Sequence, residues 1–370
     1  MPPFSAFAAV SLTRAAAAVG TQPLRLASSR QSFRTATALF WTAKSRYSTA
    51  APSSSSASSA SSSDEPLIIV TDLPAPGSGH IRVLELNRPG ARNAISRALL
   101  AALRAQVDDV AQQYDDSGRE VASAVAGNKD MGPTRALILA SALDTCFCAG
   151  ADLKERRSFT PDDTATFLGN LRGTLTALSA LPIPTIAAVS SIALGGGLEL
   201  ALAAHMRVLS SNAVVGLPET RLGIIPGAGG TYRLPMLIGM ARARDLVLTG
   251  RRVSAPEAYF LGIADRLVEV TEDPAQQDGE GGKERTEDDK NKDRAALLDT
   301  SRRAALSEAV RLAEEICEGG PVAVRAALQA VQYPAEIVEN KMYDRVVATE
   351  DRDEALKAFA EKRRPSFKGR

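Results

Sequence analysis

The sequence predicts an α/β fold, and three observations support this prediction. Short apolar strands such as Ala136–Ala140 alternate along the chain with longer segments that have the apolar spacing of helices. Helix-capping sequences at Thr160-Pro161 and at Ser254–Glu257 predict the starts of two helices, which agrees with the alternation of strands and helices. Hydrophobic residues make up 45% of the 370, which suffices for a sizeable core.

The predicted elements follow in chain order. The polar, glycine-containing stretch 115–134 is predicted to be a loop. Pro182 and Pro184 stand just before the predicted strand Ile186–Val189. The predicted strands are Leu67–Val70, Ile81–Leu86, Ala136–Ala140 and Ile186–Val189, and the predicted helices include Ser96–Tyr114, Arg294–Cys317, Pro321–Tyr333 and Asp344–Lys362.

The N-terminal 63 residues form a segment of distinct composition. They contain no Asp or Glu, and Arg and Lys are spread among Ala, Ser, Thr and Leu. This composition is typical of a mitochondrial transit peptide, which would place the mature protein in the matrix, although an ordinary disordered tail has a similar character. The serine run Ser53–Ser63 indicates a disordered linker, and folded sequence is expected from about Pro66.

The folded part is interrupted by a second polar segment. Residues 271–293 are densely charged and contain three glycines, so they cannot bury much apolar area and are expected to form a disordered surface insertion. The predicted organisation is therefore a core over residues 66–270, the insertion 271–293 and a C-terminal helical region over 294–370.

Charge and composition exclude several classes of function. The net charge of +1 gives no global attraction to nucleic acid, and no apolar run has the length of a membrane span. Only two histidines are present, which disfavours zinc or histidine-based chemistry. Cys146 and Cys148 could be half of a metal site, but the absence of nearby His or Cys partners favours two buried small residues, and no metal is predicted.

Three segments have the residue types of a chemical site. Phe147–Glu155 contains small residues, which would let a ligand approach the backbone. A tight connection from a strand to a helix would explain the same residues. In Ala193–Ala203, three glycines open an apolar helix, whose free N–H groups suit a transient anion such as an enolate oxygen. Gly216–Thr231 joins a Pro-Glu pair to a second glycine-rich run.

Two glutamates in these segments are the candidate catalytic residues. Glu199 lies in the first turn of a helix that is otherwise Leu and Ala, where burial would shift its pKa as general acid–base chemistry requires. A capping role would also explain it, and a surface loop would explain Glu219. Together, two carboxylates and two Gly/Ala amide sites have the parts to hydrate a carbon beside a carbonyl.

At these residues the sequence resembles the enoyl-CoA hydratase/isomerase (crotonase) family. The resemblance covers about Pro66 to Lys368, apart from the two insertions. The matching segments are Leu86–Pro89, Phe147–Glu155, Ala193–Ala203, Pro218–Thr231, Leu248–Arg252 and Ala358–Arg363. It implies a crotonase-type spiral of ββα repeats with a C-terminal helical trimerisation region, assembled as a homotrimer or homohexamer.

The resemblance also implies roles for individual residues. The backbone N–H groups of Ala151 and Gly196 would hold the thioester oxygen, Glu199 would activate water and Glu219 would deliver the proton. No cofactor is implied, since CoA is part of the acyl-CoA substrate. The implied CoA-binding residues are Ala149, Asp152, Leu153, Lys154 and Arg92, with Phe359 and Lys362 from a neighbouring subunit; Lys154 could equally be an ordinary exposed lysine.

Within the family, the motifs at Cys148–Arg156 and Leu194–Leu200 are similar to a methylglutaconyl-CoA hydratase branch of leucine degradation. The alternatives are a general short-chain enoyl-CoA hydratase of fatty acid β-oxidation, an RNA-binding homologue with weak catalysis, and a family enzyme that performs isomerisation or thioester hydrolysis. The methylglutaconyl-CoA hydratase branch includes an RNA-binding member with a lysine-rich helix. The matching helix here, Ser96–Tyr114, has no lysine and carries Asp108 and Asp109. RNA binding is therefore not expected, because phosphate contacts need clustered cations.

Overall fold

The computed structural model describes residues 65–121, 131–270 and 287–370. The predicted transit peptide and serine linker lie outside the described residues, as do 122–130 and most of the charged insertion. The strands are β1 Ile68–Pro74, β2 His80–Leu86, β3 Thr134–Ser141, β4 Cys146–Cys148, β5 Thr185–Val189, β6 Ile192–Leu194, β7 Met206–Ser210, β8 Val214–Gly216, β9 Arg252–Ser254 and β10 Arg266–Val268.

Helices fill the connections between these strands. They are α1 Arg97–Ala111, α2 Leu153–Arg156, α3 Pro161–Ser179, α4 Gly196–Ala203, α5 Gly230–Ile238, α6 Met240–Thr249, α7 Ala255–Leu261, α8 Glu287–Cys317, α9 Pro321–Gln332, α10 Glu336–Val347 and α11 Glu350–Ala360. Among the described residues, no helix combines the length and the apolar character that crossing a membrane requires.

Two sheets organise the spiral. The large sheet has the order β1-β2-β3-β5-β7-β10 and the small sheet the order β4-β6-β8-β9. Successive pairs of strands, β3 and β4, β5 and β6, β7 and β8, place one strand in each sheet before the chain turns into a helix or loop. This is the ββα spiral that the sequence predicted, and neighbouring strands within these repeats are parallel.

The core lies on both faces of the large sheet. Every residue of β3 is buried, because one face packs towards the small sheet and the other against α8. On that outer face, Ala309, Leu312 and Ala313 of α8 pack against residues of the large sheet such as Ile138 and Ile186. A strand buried on both faces reads as a continuous apolar run, which explains the unbroken pattern Ala136–Ala140.

The C-terminal region departs from the predicted helices in two places. Helix α8 begins at Glu287 instead of Arg294, so it includes the end of the segment that was predicted to be a loop. The single helix predicted over Asp344–Lys362 was wrong, because the chain forms α10 and α11 there. Thr349 separates them: it has extended backbone dihedrals and its hydroxyl accepts a hydrogen bond from the N–H of Arg352, which caps α11.

Candidate active site

The three segments singled out in the sequence meet at one edge of the small sheet. Strands β4, β6 and β8 are neighbours in that sheet and run parallel, so their carboxyl ends lie together. The chain leaves β4 into Ala149–Ala151, β6 into Gly195 and α4, and β8 into Pro218 and Glu219. Ligand sites of parallel α/β sheets form at this edge, outside the carboxyl ends of the strands.

Glycine allows these segments to approach one another closely. A Cβ on Gly197 would lie 2.1 Å from the carbonyl oxygen of Cys148, so only glycine lets α4 pack directly on the end of β4. Gly195 has φ +55°, a region that side chains disfavour, and a Cβ there would lie 3.0 Å from Oε1 of Glu219. The glycine run therefore positions the start of α4 between β4 and Glu219.

Two backbone amides are available at this junction. Ala151 pairs with Ile95 through the flanking groups, since the N–H of Ile95 donates to Gly150 and the N–H of Asp152 donates to Ile95. The N–H of Ala151 and that of Gly196 donate no hydrogen bond to any described residue. A Cβ on Gly196 would lie 3.5 Å from the Ala151 nitrogen, so the two amides are close neighbours and can share one oxyanion.

Glu199 lies in the first turn of α4 with its carboxylate buried, at 3% exposure. Its Oε1 accepts hydrogen bonds from the N–H of Ala228 at 2.7 Å and from that of Gly230 at 2.9 Å. Burial raises the pKa of Glu199, while the N–H groups of Gly230 and Ala228 and the charges of two arginines, Arg233 and Arg172, work against that rise. These donors favour the ionised form, as a general base requires.

Glu219 begins a turn of 3₁₀ helix, Glu219–Leu222, and is also buried, at 8% exposure. Its Oε2 has no hydrogen-bond partner among the described residues. Burial raises the pKa of Glu219 to about 7, and the neighbouring charge of Glu199 adds to that rise. A carboxyl group with this pKa keeps its proton close to neutrality and can donate it.

A cavity of about 600 Å³ contains all of these groups. Its wall includes Ala151, Gly196, Glu199 and Glu219, together with apolar side chains of α3 and of the loop that follows Glu219. The arrangement offers two donors for a developing oxyanion and a pair of carboxyl groups beside them. It can therefore move protons at carbons next to a carbonyl.

Comparison with known proteins agrees with this geometry. The family model described as "Enoyl-CoA hydratase/isomerase" matches residues 77–275, more than half of the chain. The chain belongs to the enoyl-CoA hydratase/isomerase family. The resemblance seen in the motifs and the spiral fold predicted from it are both confirmed.

Curated relatives and solved structures cover the same part of the chain. "Methylglutaconyl-CoA hydratase 1, mitochondrial" of Pyricularia oryzae is 66% identical over 83% of this chain and 88% of its own length. "Enoyl-CoA hydratase domain-containing protein 2, mitochondrial" of Homo sapiens is 38% identical over 82% and 90%. The crystal structure of an enoyl-CoA hydratase from Bacillus anthracis superposes with a TM-score of 0.64 at 35% identity, covering 82% of this chain and all of that one.

The predicted CoA-binding residues are placed less uniformly than the catalytic ones. Ala149 and Leu153 line the cavity, whereas Asp152 and Lys154 do not. The Asp152 carboxylate accepts hydrogen bonds from the N–H groups of Lys154 and Glu155 and pairs with Arg88 at 2.7 Å. Its side chain thus stabilises the turn that presents Ala151, and Lys154 is exposed at the start of α2.

Three other predicted CoA-binding residues lie outside the cavity of this single chain. Arg92 is exposed and has φ +53°, and its carbonyl oxygen accepts a hydrogen bond from the N–H of Ala149. Phe359 is 86% exposed near the end of α11, and Lys362 is exposed just after it. Their contacts with CoA stay predictions.

Sequence reasoning missed several contributors to the site. Ala228 and Gly230 belong to the second glycine-rich run and were not singled out, yet their N–H groups donate hydrogen bonds to Glu199. Arg156 and Arg172 line the cavity and were not singled out, because an arginine on an amphipathic helix is ordinary in sequence. No group of His, Cys, Asp and Glu among the described residues could hold a metal ion.

Proposed function

We propose that this chain is a hydro-lyase that adds water across the 2,3 double bond of an enoyl-CoA thioester, with 3-methylglutaconyl-CoA as its preferred substrate. The observation that carries the proposal is the pair of buried carboxyl groups, Glu199 and Glu219, beside the free amides of Ala151 and Gly196. The 66% identity to the Pyricularia oryzae methylglutaconyl-CoA hydratase supports the choice of acyl group.

In the proposed mechanism, the thioester oxygen accepts hydrogen bonds from the N–H groups of Ala151 and Gly196. Ionised Glu199 removes a proton from water, and the resulting hydroxide equivalent attacks C3. The electron pair of the double bond moves towards the carbonyl, where the two amides stabilise the enolate oxygen. Protonated Glu219 then delivers its proton to C2, and proton exchange with solvent restores both carboxyl groups.

The chemistry of the site supports this division between the two glutamates. Glu199 has two N–H donors on one oxygen, which favour its anion, whereas Glu219 has an unpartnered buried oxygen and a pKa of about 7. Burial raises the pKa of both carboxyl groups, but the two N–H donors favour the anion of Glu199, which makes Glu199 the better base and Glu219 the better acid. The two carboxyl groups thus carry out both proton transfers and the two amides stabilise the enolate oxygen, so the proposed mechanism draws on no cofactor beyond the CoA of the substrate.

The substrate assignment is tested with the purified protein and a panel of thioesters. Loss of the enoyl thioester absorbance is followed with 3-methylglutaconyl-CoA and with crotonyl-CoA. We expect hydration of both and a higher kcat/KM for the first. In the Glu219→Gln variant we expect kcat to fall by about 10²–10⁴ on either substrate. A wild-type protein that hydrates neither thioester would refute the proposed function, and a clear preference for crotonyl-CoA would favour general short-chain hydration.

Assembly as a homotrimer or homohexamer belongs to the same proposal. Large apolar side chains are exposed on the single chain, which is typical of a surface that another subunit covers. They include Met236 on α5, Phe260 on α7, Ile337 on α10 and Phe359 on α11. Phe359 and Lys362 are proposed to meet the CoA of a neighbouring subunit. Light scattering is expected to give three or six times the mass of one chain, and a monomer would refute the assembly.

Location in the mitochondrial matrix is proposed from two supports. The N-terminal 63 residues have the composition of a transit peptide, and relatives in several organisms are named as mitochondrial. The full chain fused to a fluorescent protein is expected to enter mitochondria and to lose its leader. A fusion that starts at Pro66 is the matched control and is expected to stay outside.

RNA is not proposed as a partner, and the surface of α1 supports this. Arg104 pairs with Asp108 at 2.8 Å within α1, and Arg97 pairs with Asp163 of α3 at 2.6 Å. These cations are already neutralised by carboxylates, so they offer little to phosphate groups. No salt-dependent gel shift of RNA is expected at physiological ionic strength, and such a shift would refute this part of the proposal.

A further inference from the structure

The wall of the active-site cavity contains two arginines for which the proposed mechanism has no use. Arg156 of α2 and Arg172 of α3 both line it, on the side formed by these helices. Arg156 is half-buried and Arg172 is exposed, and neither guanidinium pairs with a carboxylate in the described part of the chain. Two cations that lack a carboxylate partner and line this cavity are therefore candidates for binding part of the substrate.

Arg172 is the better placed of the two. Its Nε donates a hydrogen bond to the carbonyl oxygen of Gly227 at 2.7 Å. The next residue, Ala228, donates its N–H to Glu199, so Arg172 is fastened to the loop that holds the catalytic carboxylate. The positive charge of Arg172 also acts on Glu199 across the cavity.

The terminal nitrogens of Arg172 are available to bind a ligand. With Nε occupied by Gly227, its Nη1 and Nη2 make no hydrogen bond to any residue that the structure describes. A guanidinium presents its donors in a planar fork that matches a carboxylate. By contrast, Arg156 lies near the ring of Phe167, with its Cζ 5.9 Å from the ring centre.

We infer that Arg172 binds a second carboxylate at the far end of the acyl chain, so that this cavity selects dicarboxylic enoyl thioesters. The inference rests on the proposed function, which places C3 of the substrate beside Glu199. In 3-methylglutaconyl-CoA, the free carboxylate stands two carbons beyond C3. It would therefore extend past Glu199 to the neighbouring side of the cavity, where Arg172 is anchored.

The charge of the ionised glutamate favours a cation at this position. The ionised carboxylate of Glu199, in a partly dry cavity, repels an anionic acyl tail, and like charges at short range raise the free energy of binding. A guanidinium near Glu199 offsets this repulsion and favours an anionic tail over a neutral one. The same arginine gives no advantage to crotonyl-CoA, which has only a methyl group at that position.

The test compares two substrates in one variant. Hydration of 3-methylglutaconyl-CoA and of 3-methylcrotonyl-CoA, which lacks the distal carboxylate, is measured for the wild type, Arg172→Gln and Arg172→Lys. Both substrates use the same glutamates, so any effect of Arg172 on Glu199 cancels in the ratio of their kcat/KM values. We expect this ratio to fall about tenfold or more in Arg172→Gln, the usual loss when a hydrogen bond to a charged group is removed. Partial recovery is expected in Arg172→Lys.

Arg156→Gln is the matched control, because it removes the other cation of the same cavity and is expected to leave the ratio nearly unchanged. A ratio that falls in Arg156→Gln and not in Arg172→Gln would assign the carboxylate to the wrong arginine and overturn the inference. An equal loss on both substrates in Arg172→Gln would also overturn it, since that result indicates a role in holding the loop alone.

Binding of unreactive analogues separates this inference from the proposed function. Calorimetry with glutaryl-CoA and butyryl-CoA measures the preference for a distal carboxylate without any turnover. Tighter binding of glutaryl-CoA that is lost in Arg172→Gln supports the inference even if hydration fails. Wild-type protein that hydrates crotonyl-CoA but binds the two analogues equally would refute the inference and leave the hydratase in place.

Discussion

Buried charge is handled differently at the edge of the small sheet and at the end of the large sheet. On β7 of the large sheet, Arg207 is 2% exposed and pairs with Asp265 at 2.9 Å. Its guanidinium also donates to the carbonyl oxygens of Ile263 and Ala204. At the small sheet, the neighbouring carboxyl groups of Glu199 and Glu219 are both buried, and one oxygen of Glu219 has no partner in the described chain.

The difference separates structure from chemistry. A buried charge that has an opposite charge and full hydrogen bonding stays in one protonation state and serves the fold. A buried carboxyl that lacks such partners has a shifted pKa, which costs stability and makes proton transfer possible near neutral pH. Removing the charge should therefore have opposite effects on stability in the two regions.

The largest expected effect is on catalysis at the small sheet. Glu199→Gln keeps an oxygen that can accept from the N–H groups of Ala228 and Gly230, but it removes the proposed base. We expect kcat for hydration to fall by about 10²–10⁴ with little change in fold. The exposed Glu269→Gln serves as control and should match the wild type. If Glu199→Gln kept its activity, the small-sheet pair would not be the catalytic pair.

The next effect is on stability at the large sheet. Asp265→Asn leaves the buried charge of Arg207 without its partly exposed carboxylate partner, and we expect the free energy of unfolding to fall by about 1.5–3 kcal/mol. The change is read from urea denaturation, with the initial hydration rate as evidence that folded molecules stay active. Asp353→Asn, which breaks an exposed pair with Arg352, should cost no more than about 0.5 kcal/mol. Equal losses in the two variants would remove the contrast between a pair whose cation is buried and a pair that is exposed on both sides.

Glu219→Gln should change the free energy of unfolding in the opposite direction, towards higher stability as the pH rises. Its folded pKa of about 7 lies above the ordinary value of 4.5, so the native protein binds more protons than the unfolded chain between these pH values. The stability that this group contributes is complete below pH 4.5 and is lost as the pH rises through 7. Relative to its difference from the wild type at pH 4.5, the variant should gain about 2–3 kcal/mol at pH 8.

That gain is measured as the pH dependence of the urea midpoint, because differences between pH values cancel any effect of the new amide. Glu269→Gln again serves as control and should show no such dependence. A variant whose advantage over the wild type did not grow with pH would mean that Glu219 is not a destabilised carboxylate.

The smallest effect is on the pH profile of the wild type. If protonated Glu219 is the acid, kcat/KM should decline above a pH of about 7 and approach a tenfold loss per pH unit. The acidic decline should lie above the ordinary range of a glutamate, because burial raises the pKa of Glu199. In Glu219→Gln the alkaline decline should be absent from the residual rate. A wild-type profile that stays flat through pH 7 would contradict the assignment of the acid.

Local patterns predicted much of the fold. The buried strand Ala136–Ala140, the caps at Thr160 and Ser254 and the amphipathic helix after Ser96 all formed as predicted. The C-terminal helices were less predictable. Their apolar faces do not separate α10 from α11, and the break depends on one threonine that caps the second helix.

The sequence by itself determined which residue types meet the chemistry: a lone glutamate in a Leu/Ala helix, a Pro-Glu pair, and glycines where backbone must approach backbone. These are local properties, so they can be recognised in the sequence alone. Only the tertiary structure decided that Ala228 and Gly230 hold Glu199, that Asp152 is engaged by Arg88, and that Arg172 faces the cavity. Those contacts join residues far apart in the chain, and they exist because parallel strands bring their carboxyl ends to one edge.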